Sequence, residues 1–89
     1  MSSMRLAFSS DRLRPLSSLA VDEHAVVADV HAHGALRAER LLALGVTPGA
    51  AVTMLQTFPG VVFLCDQTEL AVEQNVAHAI LVRREERQP

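Results

Sequence analysis

The sequence predicts a small, mainly β domain: a β-barrel of about five short strands, with one short α-helix inserted after the first strand. The chain has only 89 residues, which leaves room for one domain. Its short apolar segments are separated by tight-turn signals. One stretch of strong helix formers covers residues 35–44. We expect the barrel at residues 15–83, between a loosely ordered tail at 1–14 and a charged tail at 84–89.

A short turn and the first strand are expected at the start of the domain. Residues 15–19 have the pattern of a turn or 3₁₀ segment that is anchored by Leu16 and Leu19. Residues 25–31 alternate between apolar and other side chains, which predicts a half-buried strand. The predicted buried face of this strand consists of Val26, Ala28 and Val30.

The helix has a well-defined predicted end at Gly45. A left-handed closing residue is needed there, and glycine adopts that conformation without a penalty from a Cβ atom. Val46 would then meet Leu41, which is the apolar contact of a Schellman ending. Residues 47–50 follow as Thr-Pro-Gly-Ala, which predicts a type II turn that leads into a strand.

Four strand segments and one helical turn complete the predicted fold. Residues 61–65 are apolar on both faces, so the second face must be covered by the helix, the tail or another subunit. Asn75 is the expected N-cap of a helical turn that runs to His78. In the other strands, Val52, Met54 and Phe58 share one face of the second, Leu70 and Val72 face inward on the fourth, and Ile80 and Val82 belong to the last.

Composition excludes several classes of function. The net charge is −2, with eight arginines and no lysine, so the chain lacks the basic excess of a nucleic-acid binder. It has no Trp or Tyr that could stack on bases. The single cysteine, Cys65, fits a reducing cytoplasm, and no apolar run is long enough to insert into a membrane. Because so short a chain buries a modest fraction of its surface, self-association is a further expectation.

The outer side of the helix is the candidate contact surface. At about 100° per residue, one arc should face the barrel. That arc contains Ala35, Ala38, Leu41 and Leu42. Leu36 and Leu44 lie outside it or at its edge, which leaves apolar surface that a partner could cover. Glu69 and Glu73 share one face of a later strand, where we expect a charged outer surface.

No catalytic constellation, cofactor or metal site is expected. His31 and His33 could share an ion because residues i and i+2 of a strand point the same way. The further ligands considered are Cys65, His24 and His78, although a cysteine in an apolar strand is usually a small buried residue. Spacing alone rarely establishes a metal site, so we expect none.

Two groups of positions together form a recognisable pattern: Leu36-Arg37, Arg40-Leu41-Leu42, Leu44-Gly45-Val46 and Pro48-Gly49 in the first, and Leu70-Ala71-Val72, Ala77, Ile80 and Val82 in the second. This pattern resembles the FeoA family, small bacterial proteins with an SH3-like β-barrel. The resemblance covers residues 15–83, and Gly45, Pro48 and Gly49 are its structural positions. One departure is Val72-Glu73, where the family has Leu-Arg.

The resemblance implies a non-enzymatic accessory protein of ferrous iron uptake. Its partner would be the cytoplasmic part of a FeoB-type transporter, so the chain would be cytoplasmic and held at the inner membrane through that partner. The partner surface would contain Leu36, Arg37, Arg40 and Leu44. The alternative is a free-standing regulatory module, related to the C-terminal domain of metal-dependent transcriptional repressors.

Overall fold

The computed structural model describes residues 12–31 and 35–84, without the side chains of residues 35–37. The strands are β1 (Leu13–Pro15), β2 (His24–Val30), β3 (Ala51–Gln56), β4 (Val61–Cys65), β5 (Thr68–Val72) and β6 (Ile80–Arg84), and the α-helices are α1 (Ala35–Ala43) and α2 (Gln74–His78). A 3₁₀ turn covers Leu16–Ser18. The strands form one antiparallel sheet in the order β1-β6-β2-β3-β4-β5.

The predicted fold class is confirmed, with one strand more than expected. The additional strand is β1, in which Leu13 and Arg14 pair with β6 although the sequence analysis placed both residues in a tail. Three residues are too few to show a periodicity, and the pairing depends on a strand at the far end of the chain. Within the described residues, β1 and β5 are the two ends of the sheet and do not pair with each other.

The core is formed mainly by aliphatic residues from β2 to β6 and from both α-helices, whereas β1 contributes no buried residue. Leu16 and Leu19 are both buried, as predicted for the segment at residues 15–19. The largest fully buried side chains are Phe63, Leu16, Met54, Ile80, Val27, Val46, Val52, Val61 and Val82. No polar or charged side chain of the described residues is buried. Apolar burial therefore stabilises the domain without any buried polar network.

The predicted buried face of β2 is wrong. Ala25 and Val27 are buried, whereas Val26 and Ala28 are only half-buried. Both faces of this strand carry aliphatic residues, so alternation did not identify the inner one. A register shift between Val27 and Asp29 also interrupts the period of two, as a β-bulge does.

Phe58 and Asn75 also differ from the predictions. Phe58 is 79% exposed because β3 ends at Gln56, after a register shift, and the chain then turns toward β4. Asn75 lies inside α2, whose N-cap is Glu73. Gln74 begins α2, and its Nε2 donates to the carbonyl oxygens of Thr57 at 2.7 Å and Pro59 at 2.9 Å. The side chain of Gln74 thus fixes the β3–β4 turn against α2.

An ion pair joins β1 to the start of β2. Arg14 Nη1 donates to Glu23 Oε2 at 3.0 Å, and the Ala20 N–H donates to Glu23 Oε1 at 2.9 Å. The hydrogen bond from Ala20 is the main cause that lowers the pKa of Glu23; partial burial opposes it, and the charge of Arg14 adds to the lowering. Arg14 also donates to the hydroxyl and the carbonyl oxygen of Ser18.

The free energy of unfolding should fall below neutral pH partly because of Glu23. A carboxylate whose pKa is lowered in the folded state stabilises the fold above its usual pKa of 4.5, and this contribution disappears as the pH falls through the folded pKa. We expect Glu23→Gln to cost up to about 1 kcal/mol at pH 7, since both partners are partly exposed. Urea unfolding at pH 7 and pH 3 should show a smaller difference between wild type and Glu23→Gln at pH 3. An equal difference at both pH values would contradict the assignment.

Candidate functional site

The end of α1 positions the candidate contact surface. Gly45 has a φ of +94°, so it is the left-handed closing residue that the sequence predicts. The Val46 N–H donates to the Leu41 carbonyl at 2.9 Å, and the Gly45 N–H donates to the Leu42 carbonyl at 3.0 Å. These two bonds define a Schellman motif. Leu41 and Val46 are both buried in the core, which fixes the last turn of α1 against the sheet.

The turn after α1 joins the helix to the sheet. The Ala50 N–H donates to the Thr47 carbonyl at 2.9 Å, and Gly49 has a φ of +98°, as a type II turn requires. The Gly49 N–H then donates to the Val27 carbonyl at 2.8 Å. The turn is therefore hydrogen-bonded directly to β2. These backbone bonds fix the orientation of α1 relative to the sheet.

A groove of about 330 Å³ lies between α1 and the segment that connects β5 to α2. Its lining is mainly apolar, with one charged residue on each side: Arg40 on α1 and Glu73 ahead of α2. These two side chains form no ion pair with each other or with another described residue. The lining residues are Arg40, Leu41, Leu44, Ala71, Val72, Glu73 and Val76.

Two of the four predicted contact residues line this groove. Arg40 and Leu44 are both exposed there, and the side chain of Leu44 is 50% exposed. The side chains of Leu36 and Arg37 lie outside the described residues, so their part in the surface stays a prediction.

The prediction that Leu42 faces the barrel is wrong. Leu42 is 49% exposed, while its neighbour Leu41 is only 5% exposed. The Schellman motif places Leu41 against the core, and adjacent helix positions point about 100° apart. Leu42 therefore points away from the core, and it does not line the groove.

The sequence analysis missed the second wall of the groove. Ala71, Val72, Glu73 and Val76 were assigned only to a strand and a helical turn, because nothing local shows that α1 lies beside them. The one local signal was Val72-Glu73, where an acidic residue stands in place of the family's arginine. That residue, Glu73, supplies the negative charge of the groove.

The candidate metal ligands do not form a cluster within the described residues. His31 is exposed, and its Nε2 lies 2.9 Å from Asp29 Oδ2. It lines a cavity of about 730 Å³ together with His78, whereas His33 lies outside the described part of the chain. No group of three or more His, Cys, Asp or Glu residues in ranges 12–31 and 35–84 could hold a metal ion.

Cys65 lies in the core and is poorly suited to bind metal. It is 2% exposed, and its Sγ donates to the Gly45 carbonyl at 3.5 Å. Burial raises the pKa of the Cys65 thiol, and the charge of Asp66 raises it further. Because the thiolate is the form that binds metal and reacts, Cys65 serves as a small apolar residue that packs β4 against the end of α1.

Ferrous and zinc ions are expected not to bind stoichiometrically at micromolar concentration, because a site needs more ligands than the His31 and His78 that share a cavity. Calorimetric titration of the purified chain measures this directly. One tight site that is lost in His31→Ala or His33→Ala would overturn the expectation. His24→Ala is the matched control, since His24 lies at the other end of β2 and contacts Thr53.

No helix in the described part of the chain has the length and apolar character needed to cross a membrane. A comparison with curated protein sequences found no significant match.

Three solved structures place the fold among known proteins. The FeoA protein from Chlorobium tepidum is 32% identical, with a TM-score of 0.72 over 79% of this chain and 69% of that one. The zinc complex of Stenotrophomonas maltophilia FeoA is 27% identical, with a TM-score of 0.70 over 76% of this chain and 87% of that one. That protein is described as a prokaryotic SH3 domain protein and a candidate activating factor of ferrous iron transport. T. acidophilum IdeR is 20% identical, with a TM-score of 0.75 over 82% of this chain but only 34% of the repressor.

A family comparison agrees with these structural matches. The FeoA domain matches residues 14–84, which begins within β1 and ends at the last residue of β6. The match therefore includes the Schellman motif, the type II turn and both walls of the groove. The chain belongs to the FeoA family, whose members are linked to ferrous iron transport.

Proposed function

We propose that this chain is a non-enzymatic accessory protein of bacterial ferrous iron uptake, and that it docks on the cytoplasmic part of a FeoB-type transporter. Family membership supports the link to iron transport. The observation that carries the docking is the groove between α1 and the β5–α2 segment, where Leu44 is half-exposed beside Arg40. An apolar centre with a polar, charged rim is the usual anatomy of a protein interface.

The mechanism is docking of a preformed domain. The Schellman motif and the type II turn hold α1 against the sheet through backbone hydrogen bonds, so little ordering is needed when a partner binds. The step requires no cofactor and no metal ion. The chain would work in the cytoplasm, held at the inner membrane by its partner, and would change the assembly or the activity of the transporter.

A binding measurement with purified components tests this function. The chain is titrated against the isolated cytoplasmic domain of the FeoB-type transporter from the same organism, at low and at high salt. We expect saturable binding that weakens with salt, because Arg40 and Glu73 lie at the rim of the groove. Absence of binding at both salt concentrations would overturn the proposal.

A second candidate function rests on the match to IdeR. This chain corresponds to about a third of that repressor, which is consistent with a regulatory module that works on a separate DNA-binding protein. The described residues contain no long helix that could enter a DNA groove, since α1 spans only Ala35–Ala43. Titration against a purified iron-dependent repressor distinguishes the two functions: saturable binding to the repressor, but not to the transporter domain, favours the regulatory module.

A further inference from the structure

Strand β5 has one unpaired edge. It pairs with β4 along its whole length, from Val61 opposite Val72 to Cys65 opposite Thr68. Within residues 12–31 and 35–84, no strand pairs with its other side. An exposed edge of this kind presents backbone N–H and C=O groups that can pair with another chain.

The register identifies which backbone groups point outward. Cys65 and Thr68 flank the two-residue turn Asp66–Gln67, so they form the hydrogen-bonded pair that closes the hairpin. Bonded and non-bonded pairs alternate along an antiparallel ladder. Glu69 and Ala71 are therefore the residues whose N–H and C=O groups point away from β4.

The groove meets this unpaired edge where β5 ends. Ala71 lines it together with Val72 and Glu73, whereas Glu69 does not. The groove therefore lies at the C-terminal end of the edge. Its opposite wall is the end of α1, where Leu41 and Leu44 supply apolar surface. The groove thus combines a hydrogen-bonding edge with a site for an apolar side chain.

The charged side chains beside the edge of β5 indicate what kind of strand can pair with it. Glu69, Ala71 and Glu73 are all exposed on the outer side of β5 and its continuation. Pairing with β5 of a second copy would gather the Glu69 and Glu73 carboxylates of both copies on one sheet face, and neighbouring like charges destabilise a sheet. A segment with basic side chains on that face is attracted by the same two carboxylates.

We propose that the edge of β5 binds an extended segment of the partner as an additional antiparallel strand. The segment carries basic residues opposite Glu69 and Glu73, and it places an apolar side chain against Leu44 in the groove. This inference rests on the proposed function, because the source of the segment is the cytoplasmic part of the transporter. Strand addition of this kind gains affinity from main-chain hydrogen bonds and specificity from alternate side chains.

Ala71→Pro tests the main-chain pairing. Proline removes the outward N–H of Ala71 but none of the bonds to β4, and proline is tolerated on an edge strand whose N–H faces solvent. We expect a thermal melt close to that of wild type and a loss of about tenfold or more in affinity for the transporter's cytoplasmic domain. Ala71→Thr is the comparison at the same position: it keeps the N–H and favours a strand, so it should lose clearly less affinity than Ala71→Pro.

Hydrogen exchange on the wild-type chain gives a second measurement that does not depend on folding of the proline variant. The amides of Glu69 and Ala71 should exchange rapidly in the free protein and slowly in the complex. If the transporter domain binds while Ala71→Pro retains full affinity, or while these two amides stay unprotected, the strand-addition proposal is overturned and the proposed function stands. If the domain does not bind the wild-type chain at all, both are overturned.

Discussion

Replacing Gly45 with valine should lower the free energy of unfolding by about 1–3 kcal/mol. The reason is the backbone and not the available space. Gly45 has a φ of +94°, while a Cβ atom built on it would have no heavy atom within 4 Å. A β-branched residue is poorly suited to this conformation, so the variant must either strain the backbone or give up the two Schellman bonds.

Gly45→Asn is the matched control for the backbone effect. Asparagine adopts left-handed conformations more readily than valine, so its loss of stability should be clearly smaller. Urea unfolding of wild type and both variants gives the comparison. Equal midpoints for wild type and Gly45→Val would show that Gly45 does not need its left-handed conformation. Equal losses in valine and asparagine would show that side-chain bulk, rather than the backbone, is responsible.

The part of the fold that the sequence could predict in detail is the part set by local backbone chemistry. Gly45 and Gly49 permit a positive φ and the proline between them fixes its own φ, so the helix end and the type II turn follow from residue types alone. The structure confirms both, with φ values of +94° and +98° and the expected hydrogen bonds. Val52 and Met54 were placed on one face of their strand and both are buried, whereas Phe58, placed on the same face, is exposed.

The wrong predictions concern residues whose burial depends on contacts with distant segments of the chain. In β2 both faces are aliphatic, so burial of Ala25 and Val27 is decided by the register with β6 and β3. Leu42 looked equivalent to Leu41 on a helix projection, but only Leu41 is held by the contact with Val46. The groove could not be predicted at all. It exists because α1 lies near β5 and α2, and those segments are about thirty residues apart.

Leu41→Glu should unfold the domain, whereas Leu42→Glu and Leu44→Glu should leave it folded. Leu41 is 5% exposed, so a glutamate there removes an apolar side chain from the core and buries a charge without a partner. The expected loss is about 3 kcal/mol or more, which is a large part of the stability of a small domain. Leu42 and Leu44 are 49% and 50% exposed, so a charge at either position stays in water. Thermal melts of the three variants measure this difference.

The same variants separate the groove from the rest of the helix surface. Leu44 lines the groove and Leu42 does not, although the two are equally exposed. Leu44→Glu should therefore weaken binding to the transporter's cytoplasmic domain by about tenfold or more, as expected for an apolar anchor. Leu42→Glu should bind the domain as tightly as wild type does. Leu36→Glu should fold, and it should bind more weakly than wild type because the predicted contact surface includes the first turn of α1. Equal affinities of the Leu42 and Leu44 variants would show that the partner does not use the groove, and an unfolded Leu44→Glu would show that this residue belongs to the core.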